Sequence, residues 1–166
     1  ESRSYFMSRN KRKICVITGN RSDYGPLSPL IARLHADADI ELQIIAMGAH
    51  LSPEFGYTIQ EILDDGYAIN KKIEIVLSSD SKVGIAKSMG LVQLSIGEAF
   101  DELKPDIIVV IGDRFEILAA VSSALVFNIP VAHFSGGEIT EGAIDDSIRH
   151  AITKMSHIHF TAIEDY

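Results

Sequence analysis

The sequence predicts an α/β fold: a doubly wound, mostly parallel sheet with helices on both faces, the Rossmann-like pattern. Short β-branched runs, apolar on both faces, recur along the chain. Helical patterns separate them, and polar, often glycine-bearing corners follow several of them. A strand that is apolar on both faces must be covered on both, and strands alternating with helices pair in parallel through crossovers.

The elements follow in order. "KICVIT" (13–18) is the first strand, and its single cysteine, Cys15, reads as a small buried hydrophobe rather than a reactive thiol. Pro26 and Pro29 can stand at early helical positions before "LIARLHA", where a missing N–H matters little. "IELQIIAMG" (40–48) is the second strand, and a short helix from about Thr58 to Asp65 stops at Gly66. "KIEIVL" (72–77) is the third. Between 81 and 103, Ile85, Met89, Val92, Ile96, Ala99 and Leu103 recur at spacings of three and four, with Ser81 as cap, so one long helix is expected. "DIIVVIG" (106–112) is the fourth strand. "RFEILAAVSSALVFN" (114–128) is apolar almost all round and should be packed on several sides. "IPVAHF" (129–134) and "HIHFTAI" (157–163) close the sheet, with a helix carrying Arg149 and His150 between them.

At 166 residues the chain fits one core. Residues 1–12 are expected to form a polar leading segment, in which "ESRSYF" before Met7 reads as a cloning remnant, and residues 13–166 one Rossmann-like domain. The formal net charge of -8 argues against a phosphate-backbone footprint, so no nucleic-acid partner is expected. No apolar run approaches the roughly 20 residues of a membrane span, and a lone cysteine implies no oxidising compartment. No membrane partner and a cytoplasmic location are the expectations. The helices 81–103 and 114–128 could supply a face for a homo-oligomer, though core packing accounts for both as well.

Ligands of open parallel sheets bind beyond the carboxyl ends of the strands, so the corners there carry the functional reading. After the first strand, "TGNRSDYGP" lacks the glycines of a dinucleotide fingerprint, because Arg21 and Tyr24 stand where the second and third would be. Arg21 near a helix start suits an anionic group such as a diphosphate, with Asp23 as a cap if the corner is merely a turn. After the fourth strand, Asp113 and Arg114 are charged where packing alone gives them no partner. Asp113 as N-cap with Glu116 three residues on would also make a capping box. In "HFSGGEITEGAIDDSIRHAITK" the pairs Asp145/Arg149 and Asp146/His150 are spaced i, i+4 and can interact without a ligand. Gly136 and Gly137 before Glu138 permit close backbone approach and aim the next side chain across the strand ends. Carboxylates converging from opposite sides of a cleft suit proton removal and return at a sugar carbon. His133 reads as a core histidine, and His50, beyond the second strand, is placed near the cleft. His157 and His159 alternate without a third ligand at useful spacing, so no metal site is expected.

Together, "ITGNRSDYGPLSPLI", "GAHLSPEFGYTIQEI", "GDRFEILA" and "GGEITEGAIDDSIRHAITKMSH" resemble the hydrolysing UDP-N-acetylglucosamine 2-epimerases, from about Lys11 onward. The resemblance implies the N-terminal half of a glycosyltransferase-B arrangement, with the active site between two Rossmann-like domains. It implies removal of the C2 proton of UDP-N-acetylglucosamine, expulsion of UDP, and hydration of the glycal to N-acetylmannosamine, as in sialic acid biosynthesis. No redox cofactor is required. Asp113, Glu138 and Asp145 match carboxylates of acid/base chemistry, and Arg21 and Arg114 match arginines near the diphosphate. Asp23, His50, Asp146 and His150 complete the candidate substrate-binding set. Some relatives have a glutamate where Ser135 stands. Without the family's second domain, this chain by itself is expected to be inactive. The alternatives are the same chemistry on a UDP-linked diacetamido-trideoxy sugar of the legionaminic acid route, a reversible epimerase, and a nucleotide-sugar-binding domain without chemistry.

Overall fold

The structure, a computed structural model, describes residues 10–75, 81–136 and 144–162. Its strands are β1 (Arg12–Thr18), β2 (Ile40–Met47), β3 (Lys71–Ile73), β4 (Ile107–Ile111), β5 (Val131–Phe134) and β6 (Ile158–Phe160). They form one sheet in the order β3-β2-β1-β4-β5-β6, parallel throughout. The helices are α1 (Arg21–Ala36), α2 (Ile59–Asp64), α3 (Lys82–Leu103), α4 (Phe115–Val126) and α5 (Ile144–Met155). The chain winds outward from β1 to β3, returns through α3, and winds the other way from β4 to β6. The direction reverses between β1 and β4, which is where such sheets open a crevice for ligands.

Alternation along the strands splits the core in two. Cys15 and Ile17 of β1, with Ile108 and Val110 of β4, pack against α3, α4 and α5. Val16, with Val109 and Ile111, packs on the opposite face with Tyr24, Leu27 and Ile31 of α1 and Ile59 and Ile62 of α2. The expected fold class is therefore observed, and Cys15 is fully buried within it. Burial also pushes its thiol well above the ordinary range, away from the reactive thiolate.

Several elements differ from the expectation for local reasons. Helix α1 begins at Arg21, so Pro26 and Pro29 lie inside it rather than in its first turn. Asn20, extended at φ -161, is the N-cap, and its side chain accepts from the Asp23 N–H. Proline at position 29 removes a donor to the Gly25 carbonyl, and Ser28 Oγ donates to that carbonyl instead at 2.9 Å. Helix α3 keeps its expected cap, Ser81 accepting from Gly84 N at 3.0 Å. Helix α4 is buried along Ile117, Ala119, Ala120, Val121 and Ala124, but its last turn is not packed on several sides: Leu125 and Val126 are exposed. Strand β6 is an edge strand whose residues are all exposed, not a strand covered on both faces.

Candidate functional site

The carboxyl ends of β1, β2, β4 and β5 bring most of the candidate residues to one edge. A concavity of about 500 Å³ lies at the opposite edge, lined by Asn10, Lys11, Arg12, Asp106, Ile107 and Pro130. That edge carries the amino ends of the strands and none of the candidate residues, so the candidate site lies at the carboxyl edge.

At the end of β4, Asp113 does not cap a helix. Arg114 is the N-cap of α4, without a side-chain capping bond, and no capping box forms. The Asp113 carboxylate is taken instead by Arg149 of α5 in an ion pair and hydrogen bond between Oδ2 and Nη2. Both side chains are largely shielded, at 22% and 11% exposure, which strengthens the pair over a solvated one. Arg149 thus ties α5 to the β4 corner. Asp146 and His150 do meet along α5 as their spacing predicts, Oδ1 to Nε2 at 3.6 Å.

Glu116, read from the sequence only as a cap, turns inward and is 2% exposed. Its Oε1 meets Arg114 Nε at 2.6 Å, while its buried Oε2 has no hydrogen-bond partner among the described residues. Asp23, 6% exposed, lies nearby and its Oδ2 accepts from Gly19 N at 3.0 Å. A Cβ on Gly19 would stand 3.0 Å from Glu116 Oε1 and 3.4 Å from Asp23 Oδ2, so the absence of a side chain there lets both carboxyls close under the β1 corner. Burial pushes the Asp23 carboxyl up to about 6, and the Glu116 charge adds to that while the Gly19 N–H and Arg114 oppose it. Burial also works against the Arg114 charge, but Glu116, Asp23 and Asp145 together hold it above its usual value. The signal in the sequence was the lone carboxylate in the otherwise apolar "FEILAAV".

Arg21 is exposed and pairs with Glu61 of α2 at 3.1 Å, across the mouth of the β1 corner. His50 sits beneath the surface rather than on it, fully buried. Its Nε2 lies 2.8 Å from Thr18 Oγ1 and its Nδ1 2.7 Å from Thr58 Oγ1. Because Thr18 Oγ1 donates to Asn20 O, the Nε2–H tautomer fits, with Thr58 donating to Nδ1. Burial lowers His50 to about 4, so it is neutral at physiological pH and ties β1 to the segment before α2. His133 is the hydrogen-bonded core histidine expected, its Nε2 2.8 Å from Gly112 O and its Nδ1 3.3 Å from Thr153 Oγ1. Gly136 bears out the close approach read from the sequence: a Cβ there would stand 2.7 Å from His133 Nδ1. Asp145 lies in the first turn of α5 and is exposed. Glu138, with Gly137 and Glu141, lies outside the described residues. No group of three or more metal-ligating side chains occurs among the described residues.

A doubly wound sheet whose switch point is lined by arginines and buried carboxyls defines an α/β domain suited to an anionic ligand. The chain belongs to the UDP-N-acetylglucosamine 2-epimerase family, whose model matches residues 32–166. It is 50% identical over 95% of its length to the GDP/UDP-N,N'-diacetylbacillosamine 2-epimerase (hydrolyzing) of Campylobacter jejuni, covering 41% of that protein. It is 42% identical over 92% of its length to the UDP-N,N'-diacetylbacillosamine 2-epimerase (hydrolyzing) of Legionella pneumophila, covering 40% of it. To the UDP-N-acetylglucosamine 2-epimerase of Neisseria meningitidis it is 36% identical over 93% of its length, covering 40% of that protein. The chain thus spans about two fifths of the curated relatives it matches. Among solved structures, a UDP-N-acetylglucosamine 2-epimerase superposes with a TM-score of 0.80 at 20% identity, over 92% of this chain and 42% of that one. The fold expected from the sequence is the fold these chains share.

Proposed function

We propose that the complete protein is a hydrolysing 2-epimerase of a nucleoside-diphosphate-linked 2-acetamido sugar, and that this chain supplies one wall of its active site. The observation that carries the reading is the β4 corner. Asp113, fixed by Arg149, and Arg114, fixed by Glu116, stand side by side at the switch point, a carboxylate next to a cation. Membership of the epimerase family supports it.

In this reading a carboxylate takes the C2 proton, the C1–O bond to the nucleotide breaks, and a C1=C2 double bond forms. Water then adds across that bond, a proton returning to C2 from the other face and hydroxyl to C1, which releases the free epimerised sugar. Loss of a weakly acidic ring proton needs a placed carboxylate, and loss of the nucleotide needs its developing negative charge stabilised. Asp113, Asp145 and Glu138 are the proposed acid/base carboxylates. Arg114 and Arg21 are proposed to meet the diphosphate, Asp146 and His150 to line the sugar side, and Asp23 and His50 to support the arginine loops from below. The rest of the site comes from the part of the protein beyond residues 13–166, in a two-domain arrangement, and the protein works in the cytoplasm.

Within this substrate class a diacetamido-trideoxy sugar is favoured over N-acetylglucosamine. The relatives named for N,N'-diacetylbacillosamine are 50% and 42% identical, against 36% for the one named for UDP-N-acetylglucosamine. The deciding experiment is proton NMR in D2O of the complete protein with UDP-N-acetylglucosamine, UDP-N,N'-diacetylbacillosamine and its GDP counterpart. Nucleotide release with deuterium at C2 of a free sugar supports the reading, and the sugar turned over names the substrate. Interconversion without nucleotide release would replace it with a reversible epimerase, and binding without turnover with a non-catalytic domain.

A further inference from the structure

His133 is a fully buried imidazole that the reaction just described does not use. Its place in the sheet shows what it holds. Strands β4 and β5 pair in parallel as far as Ile111 and Phe134, and Gly112 N still donates to Phe134 O at 3.1 Å. The next rung of that ladder would run from the Gly136 N–H to the Gly112 carbonyl. Positive φ at Gly112 (79°) and at Ser135 (58°) turns both chains out of the ladder there, and His133 Nε2 meets the Gly112 carbonyl at 2.8 Å instead. A carbonyl only accepts, so Nε2 carries the proton, and Nδ1 is left to accept from Thr153 Oγ1 at 3.3 Å. Burial works against a second proton on the ring, which keeps Nδ1 an acceptor.

The Gly112 carbonyl belongs to the planar peptide that leads into Asp113, so holding it fixes the backbone from which the Asp113 side chain projects. Helix α5 completes the arrangement. Arg149 and Thr153 stand one turn apart on α5 and reach the same corner: Arg149 takes the Asp113 carboxylate, and Thr153 takes the imidazole that holds the carbonyl before it. The Gly136 backbone packs against this pair, because a Cβ there would stand 2.7 Å from His133 Nδ1 and 2.8 Å from Thr153 Oγ1. We propose that His133 and Thr153 are positioning residues for the Asp113 carboxylate, the imidazole fixing the Gly112–Asp113 peptide and the Thr153 hydroxyl fixing the imidazole, an inference that rests on the acid/base role given to Asp113 above. An apolar side chain at position 133 would fill the same space and leave that carbonyl without its donor.

Steady-state kinetics of the complete protein, with the sugar nucleotide that it turns over, give the first measurement. Thr153→Val keeps the side-chain shape without the hydroxyl, and should lower kcat about tenfold with KM changed less than about threefold, because a displaced catalytic group loses the transition state more than the bound substrate. Thr153→Ser keeps the hydroxyl and should stay within about threefold of wild type in kcat. His133→Leu should lose about a hundredfold in kcat, and His133→Gln, whose amide can donate to Gly112 O and accept from Thr153, should recover about tenfold of that. Thermal melting of each variant shows whether the assayed enzyme is folded. Should His133→Leu fail to fold, the Thr153 variants decide alone. In a second measurement, nitrogen-15 NMR should show a protonated Nε2 and an unprotonated Nδ1 on the His133 ring, and the Asp113 amide signal should shift in Thr153→Val. Wild-type kcat in Thr153→Val, a rise in its KM without loss of kcat, or an equal kcat loss in the Ser and Val variants overturns the positioning role. A kcat that falls only in proportion to the unfolded fraction does the same. If the wild type turns over no sugar nucleotide, the function proposed above falls, and the NMR measurement still decides the hydrogen-bond chain: an Asp113 amide that does not respond to Thr153→Val overturns it.

Discussion

At the scale of single residues, the site depends on which partner each charged group finds. Asp113 had two plausible fates in the sequence, a helix cap or a free carboxylate, and the structure gives it to Arg149, 36 residues away. If Asp113 is the proposed acid/base carboxylate, Asp113→Asn in the complete protein should lower kcat at least about a hundredfold, the usual scale for a general acid or base. Turnover near wild type would remove it from the chemistry. The same loss is expected of Glu138→Gln. Gly136 makes a different kind of prediction, since its missing side chain is filled by His133 and Thr153, at 2.7 and 2.8 Å from where a Cβ would stand. Gly136→Ala must displace that hydrogen-bonded pair, at a cost of about 1–3 kcal/mol visible as a lower melting temperature. The close approach was legible in the sequence as paired glycines, but the side chains it accommodates were not.

At the scale of elements, periodicity and capping chemistry located the helices well where the pattern was long. Helix α3 runs over Lys82–Leu103 with Ser81 as its cap, as its spacing and its serine require. Helix α1 was misjudged because two prolines look like a helix start. The stronger signal was Asn20, whose side chain satisfies the Asp23 N–H one turn earlier and lets the helix begin at the corner itself. Asn20→Ala should therefore cost about 1 kcal/mol in urea unfolding, and Asn20→Gly only a few tenths, because glycine tolerates the capping backbone. A comparable loss in both variants would mean that the side-chain bond is not what holds the start of α1. Glu116 was misread for the complementary reason. A capping box is a local pattern, whereas the Arg114 guanidinium and the space under Gly19 offered the carboxylate a tertiary partner that no spacing rule contains.

At the scale of the whole molecule, two buried groups set opposite pH dependences. Folding raises Asp23 from 3.8 to about 6, so its contribution is complete below about 4 and is lost as pH rises through 6. His50 falls from 6.5 to about 4, so its contribution is complete above about 6.5 and is lost as pH drops toward 4. Each is worth about 3 kcal/mol on the scale of roughly 1.4 kcal/mol per unit. Burial lowers His133 as well, so in the acid range the Asp23 slope is opposed by both histidines, and unfolding free energy from urea titrations should change less with pH than it does in Asp23→Asn. Asp23→Asn should expose a stability that rises more steeply with pH, and His50→Gln should make the rise shallower than in wild type. A wild-type slope as steep as that of Asp23→Asn would show that Asp23 titrates normally, and one unchanged in His50→Gln that His50 does.

The sequence by itself determined the order and type of the elements, the burial of the inner strands on both faces, and the edge of the sheet to which the charged corners belong. It could do so because period and apolar content are local consequences of burial: a strand covered on two sides is a near-continuous apolar run, broken only where a polar side chain finds a buried partner, as His133 does. Only the tertiary structure decided which charges meet. Asp113 with Arg149, Glu116 with Arg114, and Asp23 beneath Gly19 are brought together by the parallel winding of β1 and β4. A buried charge takes whichever partner the packed core brings within reach, and that choice is made in space, not along the chain.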